Sequence, residues 1–364
     1  MSRQSSANPF AEQAMIQDAA RFVGRRAEVA QVLNLLRGMQ GVSLVGARRI
    51  GKSSLLYHIF QTGQAQLGEG TEVAWTDFRG VTDERSFYEC LCKAVGRTGD
   101  KLGDLEDAVR DRRVVFCFDQ FERVVRSAAF SKAFFDTLRS LAQADHLALL
   151  IATEQPLSEL CLSDEIASSI FFGIFRPLWL GLFTRAEAVE FIQQGFADAG
   201  LAVTENETAR LLQLAGRFPA YLALACFLLV EWKAGRAPEW ERAFRREAEP
   251  HLDSLWSHLK PSERAALRHV LDNGGLAEEE AAEDLARRGL IEPWQDAQGR
   301  RGWRLFSEAF EEFAAQPPTM PWRDRLTRLR LPWLESVEVS LWPPSIKIQG
   351  KRLAEQSRAK SKGG

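Results

Sequence analysis

The stretch of this sequence richest in chemistry is Gly41-Val-Ser-Leu-Val-Gly-Ala-Arg-Arg-Ile-Gly-Lys-Ser-Ser54. Gly46, Gly51, Lys52 and Ser53 stand at the spacing G-x-x-x-x-G-K-[ST]. A short β-prone run, Val42 to Val45, precedes them, and Ser53 to Phe60 continues with the apolar face of a helix. Strand, loop and helix in that order are the context a phosphate-binding loop needs. Glycines let backbone N–H groups curl around phosphate oxygens, and the helix N-terminus adds partial positive charge. In that chemistry Lys52 reaches the β- and γ-phosphates of a nucleotide, and the Ser53 hydroxyl holds Mg²⁺. Ser54 continues the loop. Arg48 and Arg49 read equally well as phosphate contacts, inter-subunit contacts or solvated charges.

A metal held on phosphates needs a carboxylate opposite the loop. Arg113-Val-Val-Phe-Cys-Phe-Asp119 supplies one, an apolar run ending in an acid at the strand's C-terminal end. That end is where ligands bind in open α/β sheets, so Asp119 is the expected second Mg²⁺ ligand, directly or through water. Gln120 follows, and Glu122 is the nearest further acid. A glutamine orients a water but is a poor general base, so hydrolysis by Lys52, Asp119, Gln120 and Glu122 is expected to be slow.

Around these residues the chain alternates β-prone and helical stretches. Strands are expected at Val42–Val45, Val73–Asp77, Val114–Phe118, Leu147–Ala152 and Phe171–Phe175, with helices such as Ser86–Val95 and Ser131–Ala144 between them. The fold class expected is α/β, a P-loop core with a parallel sheet over residues 21–180, after an N-terminal tail at 1–20. A helical lid is expected over 181–249. It opens on the capping box Thr184-Arg-Ala-Glu187 and continues with helices Glu205–Ala215 and Pro219–Lys233. Residues 250–316 read as a winged helix: helices at Asp253–Leu259, Ser262–Asp272 and Glu278–Arg288, then Leu290–Trp294, a turn, and Trp303–Phe306. From 317 to 364 runs a tail rich in Pro and Trp. It is basic, with ten Lys and Arg against four acids from Pro321 on, and short strands are expected at Val337–Leu341 and Ser345–Ile348.

These features together resemble the STAND group of AAA+-like P-loop ATPases and their archaeal origin-recognition-like relatives. Phe22-Val-Gly-Arg-Arg26 looks like the adenine-side box, which puts Val23, Gly24 and Arg25 at the nucleotide. Gly46 to Ser53 looks like an arginine-containing Walker A, and Asp119-Gln-Phe-Glu122 like a Walker B variant. Leu147 to Leu157 looks like the sensor strand and its exit, with Thr153 where a phosphate-side water would be held. Gly216-Arg-Phe-Pro219 looks like the lid's Gly-x-Pro motif with one extra residue, which brings Pro219 to the nucleotide. The resemblance implies ATP or ADP with Mg²⁺ as cofactors. The sequence departs from the family where an Arg often ends the sensor strand: here Thr153 is followed by Glu154, and Arg176, Arg48 and Arg49 are the candidate substitutes.

Composition limits the rest. The 364 residues carry 47 Lys and Arg against 49 Asp and Glu, a net charge of -2, so no global field favours nucleic acid or an anionic membrane. No apolar run approaches the ~20 residues of a membrane span, and Met1 to Ala20 lacks the layout of a signal peptide. The scattered cysteines, Cys90, Cys92, Cys117, Cys161 and Cys226, suit buried thiols in a reducing, cytoplasmic setting, and Cys90 with Cys92 lacks the second Cys/His pair of a zinc site. The expected function is a nucleotide-dependent switch that signals to a partner or effector protein and forms a homo-oligomer on ATP binding, with bacterial defence one setting. The alternative is a DNA-associated ATPase. The acids Glu278 to Glu280, Glu283 and Asp284 on the would-be recognition helix oppose it, while Arg300, Arg301 and the basic tail favour it. A scaffold that keeps nucleotide only as a structural ligand is the third reading.

Overall fold

In the computed structural model, which describes residues 8–11, 15–160, 170–275, 279–317, 337–341 and 344–348, the β-prone runs assemble into one parallel sheet. Its strands are β1 (Gly41–Val45), β2 (Thr71–Asp77), β3 (Arg113–Asp119), β4 (Leu147–Thr153) and β5 (Phe175–Trp179), in the order β2-β3-β4-β1-β5. Helices Lys52–Leu67, Glu84–Ala94, Leu102–Val109 and Lys132–Ala142 make the crossovers that parallel strands require. Strands β1 and β4 are buried along their whole length, which is why they read as unbroken apolar runs. Between them the chain changes direction across the sheet, and the crevice at their C-terminal ends is the expected place for a ligand.

Strand alternation divides the core in two. Leu44, Cys117, Leu150 and Ala152 face the helix Lys52–Leu67, in a cluster that runs on into the C-terminal helices. Phe116, Phe118, Leu149 and Ile151 face the other way, into an aromatic cluster with Phe78, Phe87, Phe134 and Phe171.

The fifth strand departs from expectation. Ile170–Ile174 forms a 3-10 turn and β5 begins at Phe175. Phe171 is fully buried, with its ring against Phe121, Phe135 and Phe175. The aromatic run is thus drawn into the core, and Phe-Arg-Pro-Leu-Trp takes the edge position instead. An edge strand tolerates the missing N–H of Pro177.

Beyond the sheet, helices Arg185–Asp198, Glu205–Ala215 and Pro219–Lys233 form the helical layer, and Thr184 and Thr204 each close a capping box with the glutamate three residues on. The helix expected at Asp253–Leu259 is the end of a longer one, Trp240–Ser257, so a boundary between 249 and 250 falls inside a single element. Its buried stripe of Phe244, Ala248, Leu252 and Trp256 continues past Pro250, and that burial outweighs the hydrogen bond a proline removes. Helices Pro261–Asn273 and Glu279–Arg287 follow, then the antiparallel hairpin β6 (Ile291–Gln295) and β7 (Arg301–Leu305), and helix Glu308–Ala315, in the order of a winged helix. In the tail, Val337–Leu341 and Pro344–Ile348 pair antiparallel; the remaining Pro- and Trp-rich residues, and Cys161, lie outside the described residues. Among the described residues no helix is long and apolar enough to cross a membrane.

Candidate nucleotide site

The phosphate loop leaves β1 at the sheet's C-terminal edge. Gly46 donates its N–H to the Thr153 carbonyl at 3.3 Å, and a Cβ there would lie 2.7 Å from the Leu180 carbonyl oxygen, so only glycine fits. Gly51 is in the left-handed region, φ 102°, and starts the sixteen-residue helix Lys52–Leu67 with no side-chain cap. The first N–H groups of that helix are therefore free of a capping side chain and stand at the cavity wall.

Lys52 folds back over the loop, donating from Nζ to the carbonyls of Gly46 at 2.8 Å and Ala47 at 3.0 Å. Burial pulls its ammonium below the ordinary lysine value, against the opposing charges of Glu154, Glu122 and Asp119. The Ser53 hydroxyl donates to Asp119 Oδ1 at 2.9 Å. Burial lifts the Asp119 carboxyl above its usual range, while the Ser53 hydrogen bond works the other way and Asp77, its neighbour on β2, adds to the lift. A hydroxyl and one carboxylate beside a phosphate loop form the hard-oxygen set on which Mg²⁺ sits while keeping waters and phosphate oxygens. The donors present thus fit the metal.

Gln120 sits just past Asp119 with φ 57°, an uncommon conformation for a residue with a side chain. Glu122 accepts the Glu154 backbone N–H at 2.5 Å, and burial raises its carboxyl. Gln120, Glu122 and Glu154 all line one cavity with the loop, about 870 Å³ in volume.

Val23 and Arg25 line the same cavity. Arg25, 3% exposed, is a clasp: its guanidinium donates to the carbonyls of Gly181 at 2.6 Å and Ile50 at 3.2 Å, pairs with Glu28 at 3.0 Å, and lies 4.9 Å above the Phe183 ring. Its backbone N–H donates to Glu187 Oε1 at 2.5 Å, the same side chain that closes the Thr184 capping box. Gly24 packs against Glu187, where a Cβ would meet Glu187 Cβ at 3.2 Å. Pro219 lines the cavity at the start of its helix, beside Ala220 and Ala223. Arg48 and Arg49 also line it; burial brings the Arg49 guanidinium down to about 10. Below them His251 is pushed down to about 3 by burial and by the charges of Arg49 and Arg48.

Four candidates are absent from the cavity wall: Gly24 and Gly46, which sit beside residues that line it, and Thr153 and Arg176. Thr153 is fully buried, is absent from the cavity wall, and its hydroxyl has no hydrogen-bond partner among the described residues. Strand alternation explains this: Ala152 faces the loop helix, so Thr153 faces away. Arg176 lies within β5, opposite Val42 at the start of β1, at the far end of the sheet from the loop. With the strand beginning four residues later than expected, Arg176 no longer stands at its exit.

Two walls carry no motif in the sequence. The winged helix contributes Ser254, Leu255, His258, Leu259, Arg288 and Leu290. The N-terminal segment contributes Pro9, Phe10, Met15 and Ile16, with the Ile16 N–H donating to Ser54 Oγ at 3.1 Å. Phe10 is a lone aromatic in a polar stretch, so no periodicity marks it. Its socket is Gly195, where a Cβ would lie 2.0 Å from the Phe10 ring, flanked by Phe191 and Phe196.

Residues 102–275 match the Novel STAND NTPase 2 family, a stretch that begins after the phosphate loop and contains Asp119 to Glu122 and the helical layer. Among solved structures, the Walker-type ATPase PABY2304 of Pyrococcus abyssi is 15% identical with a TM-score of 0.57, over 84% of this chain and 99% of that one. The Aeropyrum pernix ORC2 protein, in its ADPNP–ADP complexes, is 12% identical with a TM-score of 0.51, over 88% of this chain and 99% of that one. At such identities the likeness speaks for the fold alone. No curated protein matches the sequence.

Proposed function

With a STAND-type NTPase domain on a P-loop ATPase fold as the premise, we propose that the chain is an ATP/ADP-binding switch that passes a signal to a partner protein. One observation carries the reading: three modules wall a single cavity. The sheet edge supplies Lys52, Ser53 and Asp119, the lid supplies Pro219 and Ala220, and the winged helix supplies Ser254, His258 and Arg288. A ligand at the loop touches parts of the molecule that can move apart, and a switch needs two states that bind the ligand differently.

Ser53 and Asp119 hold Mg²⁺, which when bound neutralises phosphate charge. Val23 to Arg25 and Pro219 frame the nucleotide, and Lys52 binds its phosphates. Gln120 orients a water, and Glu122, lifted by burial, is the acid nearest to acting as base. Hydrolysis is slow on this reading, and the triphosphate state persists long enough to expose a surface for a partner or a second copy. The basic groups near the would-be recognition helix are occupied: Arg287 pairs with Glu283 at 3.0 Å, and Arg288 with Glu263. That favours the switch over a DNA-reading ATPase.

The test is the nucleotide released on denaturing the freshly purified protein. Near-stoichiometric ADP is expected from the wild type and none from Lys52→Ala. An empty wild-type site that turns ATP over rapidly on duplex DNA would sink the reading.

A further inference from the structure

One stretch of the cavity wall is held by the lid at one end and by the sheet layer at the other. At the lid end, Asn8 donates from Nδ2 to the Phe227 carbonyl at 3.1 Å and to Glu231 Oε1 at 2.8 Å, both on the helix Pro219–Lys233. Two residues on, Phe10 is 4% exposed and fills the Gly195 socket on the other lid helix, Arg185–Asp198. The Phe10 N–H donates to Asn8 Oδ1 at 3.1 Å, which ties the two holds together. Glycine is disfavoured inside a helix. At 195 it is what admits the ring, since a Cβ there would lie 2.0 Å from Phe10 Cζ.

At the sheet end the holds are Ile16 and Phe22. The Ile16 N–H donates to Ser54 Oγ at 3.1 Å, and the Phe22 ring stacks 4.2 Å from that of His58. Both therefore grip the helix that starts at the phosphate loop. From Phe22 the chain passes through Arg25 into the helix Arg26–Arg37, so this end stays with the sheet while Asn8 and Phe10 reach over to the lid. Pro9, Phe10, Met15 and Ile16 all line the cavity that the two holds bracket. A lid that swings away from the sheet must break one of them.

We propose that the segment carrying Asn8 and Phe10 is a strap that clips the lid to the phosphate-loop helix. Withdrawal of the Phe10 ring from its socket gates the entry and exit of the nucleotide, a role that rests on the reading of this cavity as a nucleotide site. A gate and a ligand contact differ in kinetics. A side chain that only touches the ligand alters release and leaves association alone. A gate slows both, so unclipping it quickens both and leaves affinity nearly unchanged.

The experiment is stopped-flow association and release of a fluorescent ADP analogue, with Mg²⁺, on the full-length protein, beside amide exchange read by mass spectrometry. Wild type, Phe10→Ala, Gly195→Ala, the double variant and, as a surface control, Arg110→Ala are compared, each with its thermal midpoint. Phe10→Ala should quicken association and release about tenfold each, with affinity within about threefold, the rate change being a fraction of what a buried aromatic side chain contributes. Gly195→Ala, whose methyl takes the place of the ring, should match it with Phe10 intact. The double variant should be no faster than either, because the one contact is lost only once. In both single variants the amides of Phe10 and Ala11, which Asn8 holds, should exchange faster while that of Ile16 keeps its protection. Arg110→Ala should match wild type. Effects that multiply in the double variant, release that quickens without association, or rates that stay at wild type overturn the gate and leave the nucleotide site in place. Unchanged exchange at Phe10 and Ala11 in Gly195→Ala overturns the strap itself. A wild type that binds no nucleotide overturns the site and the gate together, and exchange at Phe10 and Ala11 then reports on the strap alone.

Discussion

Two seams join the three modules of this molecule, and they are built from different materials. Between sheet and lid a shared apolar cluster is laced by local polar contacts: the Arg25 guanidinium on the Gly181 and Ile50 carbonyls, its N–H on Glu187, and an exposed Arg26–Glu190 pair. Between lid and winged helix the contact is a packed aromatic stack backed by ions. Phe306 lies 5.2 Å from Phe218, 5.5 Å from Tyr221 and 4.7 Å from Phe310, and Phe218 and Phe310 are fully buried. Gly216, φ 70°, abuts the Phe306 carbonyl so closely that a Cβ would lie 2.0 Å from its oxygen. Glu292, nearly buried, is gripped by Arg217 at 2.6 Å and by Arg304 at 2.5 Å, while Arg210 joins Glu241 and Glu308 across three helices. The first seam borders the cavity at Arg25, and the second lies in aromatic packing and ion pairs outside it. Lid and winged helix are therefore expected to move as one body against the sheet.

The comparison is broken most severely at the loop. Lys52→Ala should weaken nucleotide binding by about a hundredfold or more, because charge-assisted phosphate contacts are the strong ones, while urea midpoints stay near wild type. A large stability loss instead would make Lys52 part of the first seam. Next comes Glu292→Ala, which leaves Arg217 and Arg304 facing an emptied site. Because Arg217 and Arg304 are partly exposed and can be solvated, the expected cost is about 1 kcal/mol, read as a lower urea midpoint and as faster amide exchange in β6 and β7, with nucleotide affinity little changed. Glu187→Ala removes a capping box and the Arg25 contact together. About 1 kcal/mol of stability is expected to go with the cap, and release of a fluorescent ADP analogue should quicken; unchanged release would remove Glu187 from the first seam.

The smallest effect is in pH. Burial and the Arg48 and Arg49 charges hold His251 near 3, far below the about 6.5 of an unfolded histidine, so it stays neutral in the native protein. Its cost appears as pH falls below about 6.5 and grows toward 3. Hydrogen bonds from Arg210 hold Glu241 and Glu308 below the usual carboxylate range. Their contribution is intact above the unfolded value of about 4.3 and is lost as pH falls through the lower folded values. Urea midpoints from pH 8 to about pH 3 should therefore fall with an onset below about 6.5, and His251→Gln should remove that early phase and leave the later one, below about 4.3.

How legible all this was follows from sequence distance. The phosphate loop, the acid ending β3 and the capping box at Thr184 are local patterns, and the structure has them where the residues stand. Helices Glu205–Ala215 and Pro219–Lys233 were bounded by a cap and a proline, and they begin and end as read. The fifth strand was misplaced because an apolar run alone does not say whether it pairs or packs; the edge strand is the less apolar segment beside it. Thr153 lies off the cavity wall, as alternation along β4 implies. What no local pattern could reveal is long-range pairing. Glu292 meets an arginine 75 residues earlier, Asn8 bonds Glu231 across 223 residues, and Phe10 seats on Gly195.

The posture of Lys52 also has a kinetic meaning. Two of its three N–H donors are held by carbonyls of its own loop, so an arriving phosphate meets a cation that is already oriented and partly engaged. On the proposed nucleotide reading, these two hydrogen bonds are exchanged for phosphate contacts as the lysine turns to the ligand. Association is then a two-step event: a fast encounter, followed by a first-order rearrangement whose observed rate levels off as nucleotide concentration rises. On that reading the side chain that binds the phosphates also governs how soon they are bound.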